Sequence, residues 1–169
     1  MKNIKFRRMK KEDFVKIRKI AIKGWIWSYD YLPAEKLTNL VNKYYSNKSL
    51  EKSLKNVKTG KDCFIVAENN NKIIGFIHAG MKTKDKGELH RFYLEIEFIG
   101  KGVGKKLLIR AEKFLKSKNC KKYFTFVNKN GKRAPEFYSR NGFQRVPEKD
   151  KYDEFRQYGK VLQYIEKKL

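Results

Sequence analysis

Three glycines alternate with a lysine and a valine in Gly100-Lys101-Gly102-Val103-Gly104. They lie between a strand-like run over 88–95 (ELHRFYLE) and a helix-like run over 105–118. Glycines at a strand-to-helix junction strip side chains from the backbone, so the N–H groups at the helix start can approach a phosphate closely. The positive end of the helix dipole favours the same anion. A phosphate-bearing ligand is therefore the first expectation. In the strand before the glycines, two-residue alternation puts Glu88, His90, Phe92 and Leu94 on one face. Glu88 and His90 are titratable groups on the strand that leads to the loop.

Two common phosphate motifs do not fit. A Walker loop ends in Gly-Lys-Ser/Thr, whose hydroxyl holds a metal ion; here Gly104 is followed by Lys105 and Lys106. A dinucleotide fingerprint needs Gly-x-Gly-x-x-Gly and an acid roughly 20 positions on. Counting from Gly100, the third glycine position holds Lys105, and Asn119-Cys120-Lys121-Lys122 offers no acid.

The elements that must position the loop follow from periodicity. Alternation over 4–9 predicts a half-buried strand, and Phe14, Ile17, Ile20 and Ala21 predict a helix over 10–24 that Gly24 ends. The aromatic stretch Trp25 to Leu32 (WIWSYDYL) runs into Pro33. Helices are expected over 34–45 and 49–57. Strands over 62–68 and 72–81 flank Asn69-Asn70-Asn71, a hairpin turn. Val103, Leu107, Leu108, Ala111, Phe114 and Leu115 form one apolar stripe after the glycines. A strand over 123–128, a short helix over 134–140 and strands over 144–146 and 159–168 complete the chain, with polar 147–157 before the last. No repeat or linker divides it. The fold class is α+β: one domain over 1–169, with a central, mostly antiparallel twisted sheet flanked by helices.

The chain of 169 residues carries 42 basic and 18 acidic residues, a formal charge of +24, spread along its length. Such a surface attracts polyanions: nucleic acid, an anionic membrane, an acidic protein or a phosphorylated cofactor. Cys63 and Cys120 have no metal-type spacing and read as buried thiols in a reducing compartment. No apolar run reaches the ~20 residues of a membrane span, and the start, MKNIKFRRMKKEDF, lacks a signal peptide's apolar core. A cytoplasmic protein without membrane or metal is expected, as monomer or homodimer.

Residues 92–108 (FYLEIEFIGKGVGKKLL) resemble the acetyl-CoA motif of the GNAT N-acetyltransferase superfamily, Gln/Arg-x-x-Gly-x-Gly/Ala at the start of a long helix. Ala134-Pro135-Glu136-Phe137-Tyr138-Ser139-Arg140-Asn141-Gly142-Phe143 matches the family's Ala-x-x-x-Tyr-x-x-x-Gly-Phe segment. The strand order agrees as well, so the resemblance spans 4–168. It departs at Ile99, where Gln or Arg is usual, at Ile96, where proline is usual, and at Gly131, where asparagine is usual, although Asn130 is adjacent. Residues 25–35 (WIWSYDYLPAE) resemble the Trp-x-x-x-Tyr-x-x-x-Leu-Pro segment of PaiA-like, polyamine-type acetyltransferases.

The resemblance implies acetyl transfer from acetyl-CoA to a primary amine: a small amine, a polyamine or a protein amine. Gly100, Lys101, Gly102, Val103, Gly104 and Lys105 would hold the pyrophosphate, and Asn130 would add a contact. Backbone groups of Tyr93, Leu94 and Glu95 would pair with the pantetheine arm, with the Leu94 N–H polarising the thioester carbonyl. Tyr138 would protonate the departing thiolate. An aliphatic amine with a pKa near ~10.4 arrives protonated and needs a base; Glu88 is the first candidate and His90 the second. Trp25, Trp27, Tyr29 and Tyr31, with Asp30 or Glu35, would shape a cation-binding acceptor site. Two other readings stay open: a basic nucleic-acid-binding module, and a non-catalytic acyl-CoA sensor on the same fold.

Overall fold

The computed structural model describes residues 4–131, 133–152 and 161–169. In chain order the strands are β1 (Ile4–Arg8), β2 (Asp62–Asn69), β3 (Lys72–Met81), β4 (Lys86–Leu94), β5 (Lys122–Asn128), β6 (Gln144–Arg145), β7 (Lys151–Tyr152) and β8 (Val161–Lys168). The helices are α1 (Phe14–Ser28), α2 (Ala34–Tyr44), α3 (Asn47–Lys58), α4 (Val103–Ser117) and α5 (Ala134–Arg140). The strands form one sheet in the order β1-β2-β3-β4-β5-β8-β6, with β7 also on β8. Every pairing is antiparallel except β4 with β5.

That exception creates the site. β4 and β5 pair only through Lys86–Lys122, Gly87–Tyr123 and Glu88–Phe124. Beyond Glu88, β4 stays on β3 as far as Leu94, while β5 stays on β8 as far as Asn128. The two strands part, and the edge of β4 that faces β5 is left open. Backbone groups along such an edge need partners.

Helices cover both faces of the sheet. The apolar stripe of α4 buries Val103, Leu107, Leu108, Ala111 and Leu115 with Leu89, Tyr123, Val127, Tyr138 and Phe143. On the other face α1, α2 and α3 bury Ile17, Ile20, Val41, Leu50 and Val57 against Phe64, Val66 and Phe76. A fully buried side chain of this size contributes about 1.5–3 kcal/mol. Asn70 and Asn71 have φ of 50° and 58°, the left-handed pair of a two-residue hairpin turn between β2 and β3. Ser46 caps α3 by accepting from the Ser49 N–H at 3.3 Å, which starts that helix two residues ahead of the periodic pattern. Cys63 and Cys120 are free and buried.

Two expectations need correction. Gly24 does not end α1, which starts after a short 3-10 turn (Lys11–Asp13) and continues to Ser28. The glycine is a packing device: a Cβ there would lie 2.5 Å from the Tyr93 ring. Nor does alternation hold along β4. Ala79 pairs with Leu89 and His78 with Arg91, so His90 is an extra residue, a β-bulge. Leu89, Phe92 and Leu94 therefore pack with the α4 face. Glu88 and His90 belong to the opposite face, where His90 meets the His78 ring. Of the last strand expected over 159–168, residues 159 and 160 lie outside the described residues, as do 153–157 of the polar stretch.

Candidate active site

A cavity of about 540 Å³ fills the wedge between β4 and β5. Its floor is His90 to Leu94 on one side and Thr125 to Asn128 on the other. The start of α4 closes one end with Gly100, Gly102, Gly104 and Lys105. The last turn of α1 closes the other with Gly24, Trp27, Ser28 and the adjoining Tyr29. α5 roofs it with Ala134, Phe137, Tyr138 and Asn141.

The glycines divide their work. Gly100 and Gly102 have φ of 80° and 77°, the left-handed region that an L side chain resists. A Cβ on Gly102 would meet nothing within 4 Å, so that glycine serves backbone conformation and an open approach. Gly104 is helical, and a Cβ there would press on Phe137, Leu94 and Phe92 at 3.3–3.4 Å. It lets α4 lie close to β4 and α5. No side chain caps the start of α4 and no acid sits in its first turn. The leading N–H groups are thus free of intrahelical partners. Lys105 and Lys106 stand at the positive end of the dipole, an arrangement that an anion relieves. Lys101 is exposed and Val103 is buried in the core, so Val103 has only its amide to offer.

Tyr93, Leu94 and Glu95 likewise present backbone rather than side chains. The Tyr93 ring packs among Tyr45, Phe76 and Trp25. Glu95 is held by Lys16 at 2.5 Å and Lys23 at 3.1 Å, both from α1. Burial would raise its carboxyl, but the two lysines outweigh burial and hold it below the ordinary range. The Glu95 N–H donates to the Ile74 carbonyl of β3 at 2.8 Å. Successive amides along a strand point to opposite sides, so the Leu94 N–H is directed to the open wedge.

Tyr138 is buried under the cavity roof, with the Phe92, Phe137 and Phe143 rings 5.0–6.4 Å away. Burial, with Tyr93 adding to it, raises its phenol well above the usual value and keeps the proton on the oxygen. On the opposite wall His90 lines the cavity and Glu88 does not. Glu88 Oε1 lies 3.4 Å from His90 Nδ1, and Lys82 approaches its other oxygen at 3.3 Å. The contact with His90 pulls the Glu88 carboxyl down to about 2, against a burial that works the other way.

Of the aromatic stretch, Trp27 and Tyr29 line the cavity. Trp25 turns inward onto the Tyr29 and Tyr44 rings. Tyr31 packs with the buried Leu32 and Leu37, and Glu35 is exposed on the first turn of α2. A helical turn separates these residues onto different faces, which the aromatic density of the sequence conceals. Asn130 is exposed and off the cavity wall, whereas Gly131 and Arg133 line it. Arg133 Nη1 comes within 3.9 Å of the position a Gly100 Cβ would take, so a guanidinium faces the glycine loop. Sequence reasoning missed Arg133, since no motif marks it. It also missed Asn128, whose Nδ2 donates to the Ser28 carbonyl at 3.1 Å and whose Oδ1 accepts from the Asn130 N–H at 3.1 Å. That residue ties α1 to the loop before α5 across the wedge.

Residues 24–143 match the acetyltransferase (GNAT) family. The chain belongs to that family. It is an N-acetyltransferase, and its cofactor is acetyl-CoA. Among relatives, the spermidine N(1)-acetyltransferase of Thermoplasma acidophilum is 29% identical over 144 residues, 84% of this chain and 89% of that one. The PaiA N-acetyltransferase of T. acidophilum in complex with coenzyme A superposes with a TM-score of 0.87 at 27% identity, over 99% of both chains. Ard1 of Thermoplasma volcanium shares the fold, with a TM-score of 0.75 at 14% identity over 98% and 97%. No helix among the described residues is long and apolar enough to cross a membrane.

Proposed function

We propose that this GNAT enzyme acetylates a small aliphatic amine of the polyamine class by direct transfer from acetyl-CoA. The observation that carries the reading is one continuous cavity with a phosphate-type glycine loop at one end and an aromatic α1 terminus at the other. Tyr138 and His90 also line it. The pyrophosphate sits on the amides of Gly102 to Lys105, with Arg133 opposite. The pantetheine arm runs along the open edge of β4, and the Leu94 N–H donates to the thioester carbonyl. The amine nitrogen attacks that carbonyl carbon. The C–N bond forms, the C–S bond breaks, and the thiolate takes a proton from Tyr138.

His90, rather than Glu88, takes the proton from the amine. The reading rests on its place on the cavity wall, while Glu88 holds Nδ1 and so leaves Nε2 to accept. A carboxyl pulled down to about 2 is a poor base at neutral pH. No carboxylate lines the cavity among the described residues, whereas Arg91, Lys105, Arg133 and Arg140 do. The polyamine class draws support from the T. acidophilum relative described as a spermidine N(1)-acetyltransferase and from the Trp27–Tyr29 wall, which suits an alkyl chain with a distal cation. The test is thiol release from acetyl-CoA over a panel of spermidine, an amino sugar, a lysine peptide and a peptide N-terminus. Spermidine is expected to give the highest kcat/KM; a peptide substrate exceeding it overturns the acceptor class.

A further inference from the structure

The chain has two histidines, and both lie in one cluster outside the cofactor loop. His78 is buried on β3, and its Nε2 is 3.0 Å from Asp62 Oδ2 of β2. His90, the bulge residue of β4, stacks obliquely on His78 with ring centroids 4.8 Å apart. One donor atom from each of Asp62, His78 and His90 can be chosen so that all lie within 4.8 Å of one another. Gly80 makes room for them: a Cβ there would collide with Asp62 Oδ1 and would sit 3.5 Å from His90 Nε2. Asn56 Nδ2 donates to Asp62 Oδ2 at 3.0 Å and fixes the carboxylate. Glu88 does the same for His90 through Nδ1.

We propose that Asp62, His78 and His90 form a binding site for a divalent transition metal ion of the zinc type, and that occupancy withdraws His90 from the acceptor cavity. Two imidazoles and one carboxylate are a donor set that zinc accepts, with a fourth position left to water. Zinc–nitrogen bonds of about 2.0–2.1 Å put tetrahedral neighbours roughly 3.4 Å apart. Asp62 and His78 are already that close. His90, the solvent-facing member, supplies the closing movement. The charge environment is mixed. Asp62 and Glu88 favour a cation, while Lys82 and Arg91 oppose it. Arg91 Nη1 faces His78 Nδ1 at 3.2 Å. A metal on Nε2 leaves the proton on Nδ1, so Arg91 gives up that contact and keeps those to Tyr44, Ser49 and Ser53. Acetyl transfer itself has no step that uses this metal; its effect is inhibitory, and that effect rests on the role of His90 in the proposed reaction.

The experiment titrates untagged protein with Co²⁺ and follows the visible absorption of four-coordinate cobalt, then adds Zn²⁺ to displace it. A saturable band is expected, bleached by Zn²⁺. Asp62→Asn and His90→Ala, each checked for an unchanged melting profile, are expected to weaken binding by at least about tenfold, the scale on which even outer-shell changes act. Absence of the band, or a band of equal affinity in either variant, overturns the site. This readout needs no turnover, so it stands or falls apart from the acetyltransfer reading. Zn²⁺ is further expected to inhibit acetylation without changing the dissociation constant for acetyl-CoA; full activity at saturating Zn²⁺ overturns the inhibitory role.

Discussion

Gly102→Ala separates conformation from packing at the cofactor loop. Gly102 has a φ of 77°, and nothing lies within 4 Å of the Cβ it would gain. No neighbour has to move, so the intrinsic cost is the left-handed backbone itself, about 1–2 kcal/mol for an L residue. At roughly 2–4 °C per kcal/mol for a chain of this size, the melting temperature falls by about 2–8 °C. Relaxing the strain rotates the amides at the start of α4, and losing one charge-assisted hydrogen bond costs about 1.5–3 kcal/mol. Acetyl-CoA affinity should therefore fall roughly ten- to 150-fold. Gly104→Ala is the control. It keeps helical dihedrals but presses on Phe137, Leu94 and Phe92 at 3.3–3.4 Å. Its cost should register more in stability than in affinity. Calorimetric titration with CoA and thermal melts read both quantities. An unchanged CoA affinity in Gly102→Ala, with the melting temperature lowered as expected, refutes the assignment of these amides to the pyrophosphate.

Other outcomes follow from the same geometry. Tyr138→Phe should lower kcat by about 10²–10⁴-fold, the range of general-acid contributions, while CoA affinity stays within about threefold; steady-state kinetics beside calorimetry checks the split. Gly24→Ala puts a Cβ 2.5 Å from the Tyr93 ring and should destabilise the fold by about 1–3 kcal/mol through overpacking, seen as a lower urea midpoint. Glu88 is depressed from 4.5 to about 2 in the folded protein. Its contact with His90 thus adds stability that is complete above the unfolded value and is lost as pH falls towards 2. Glu88→Gln should flatten the stability profile in that window and shift the pH dependence of kcat by loosening His90; a profile superimposable on the wild type counts against the pairing.

The family and its cofactor were legible in the residues, because the signal is local. Alternating glycines before an uncapped helix and the tyrosine segment around Tyr138 carry their meaning within a few positions. The acceptor end was not. The bulge at His90 exists only through the register of β4 on β3, and it moves Glu88 and His90 to the face opposite Phe92 and Leu94. Gly24 reads as a helix stop until the Tyr93 ring is seen against it. Trp25 and Trp27 are indistinguishable in composition, yet α1 turns one into the core and the other into the cavity. Arg133 and Asn128 gain a role only when β5 diverges from β4, a non-local event that no local pattern encodes.

In the proposed reaction one cavity joins acetyl-CoA to a small amine. Mass spectrometry of a reaction holding enzyme, acetyl-CoA and spermidine tests it most directly, with free thiol measured in the same sample. Monoacetylated spermidine is expected to form in step with CoA release, both abolished or strongly slowed in Tyr138→Phe. Tight CoA binding with no acetylated amine, from spermidine or any other primary amine, would contradict it and leave an acyl-CoA-binding protein on an acetyltransferase fold.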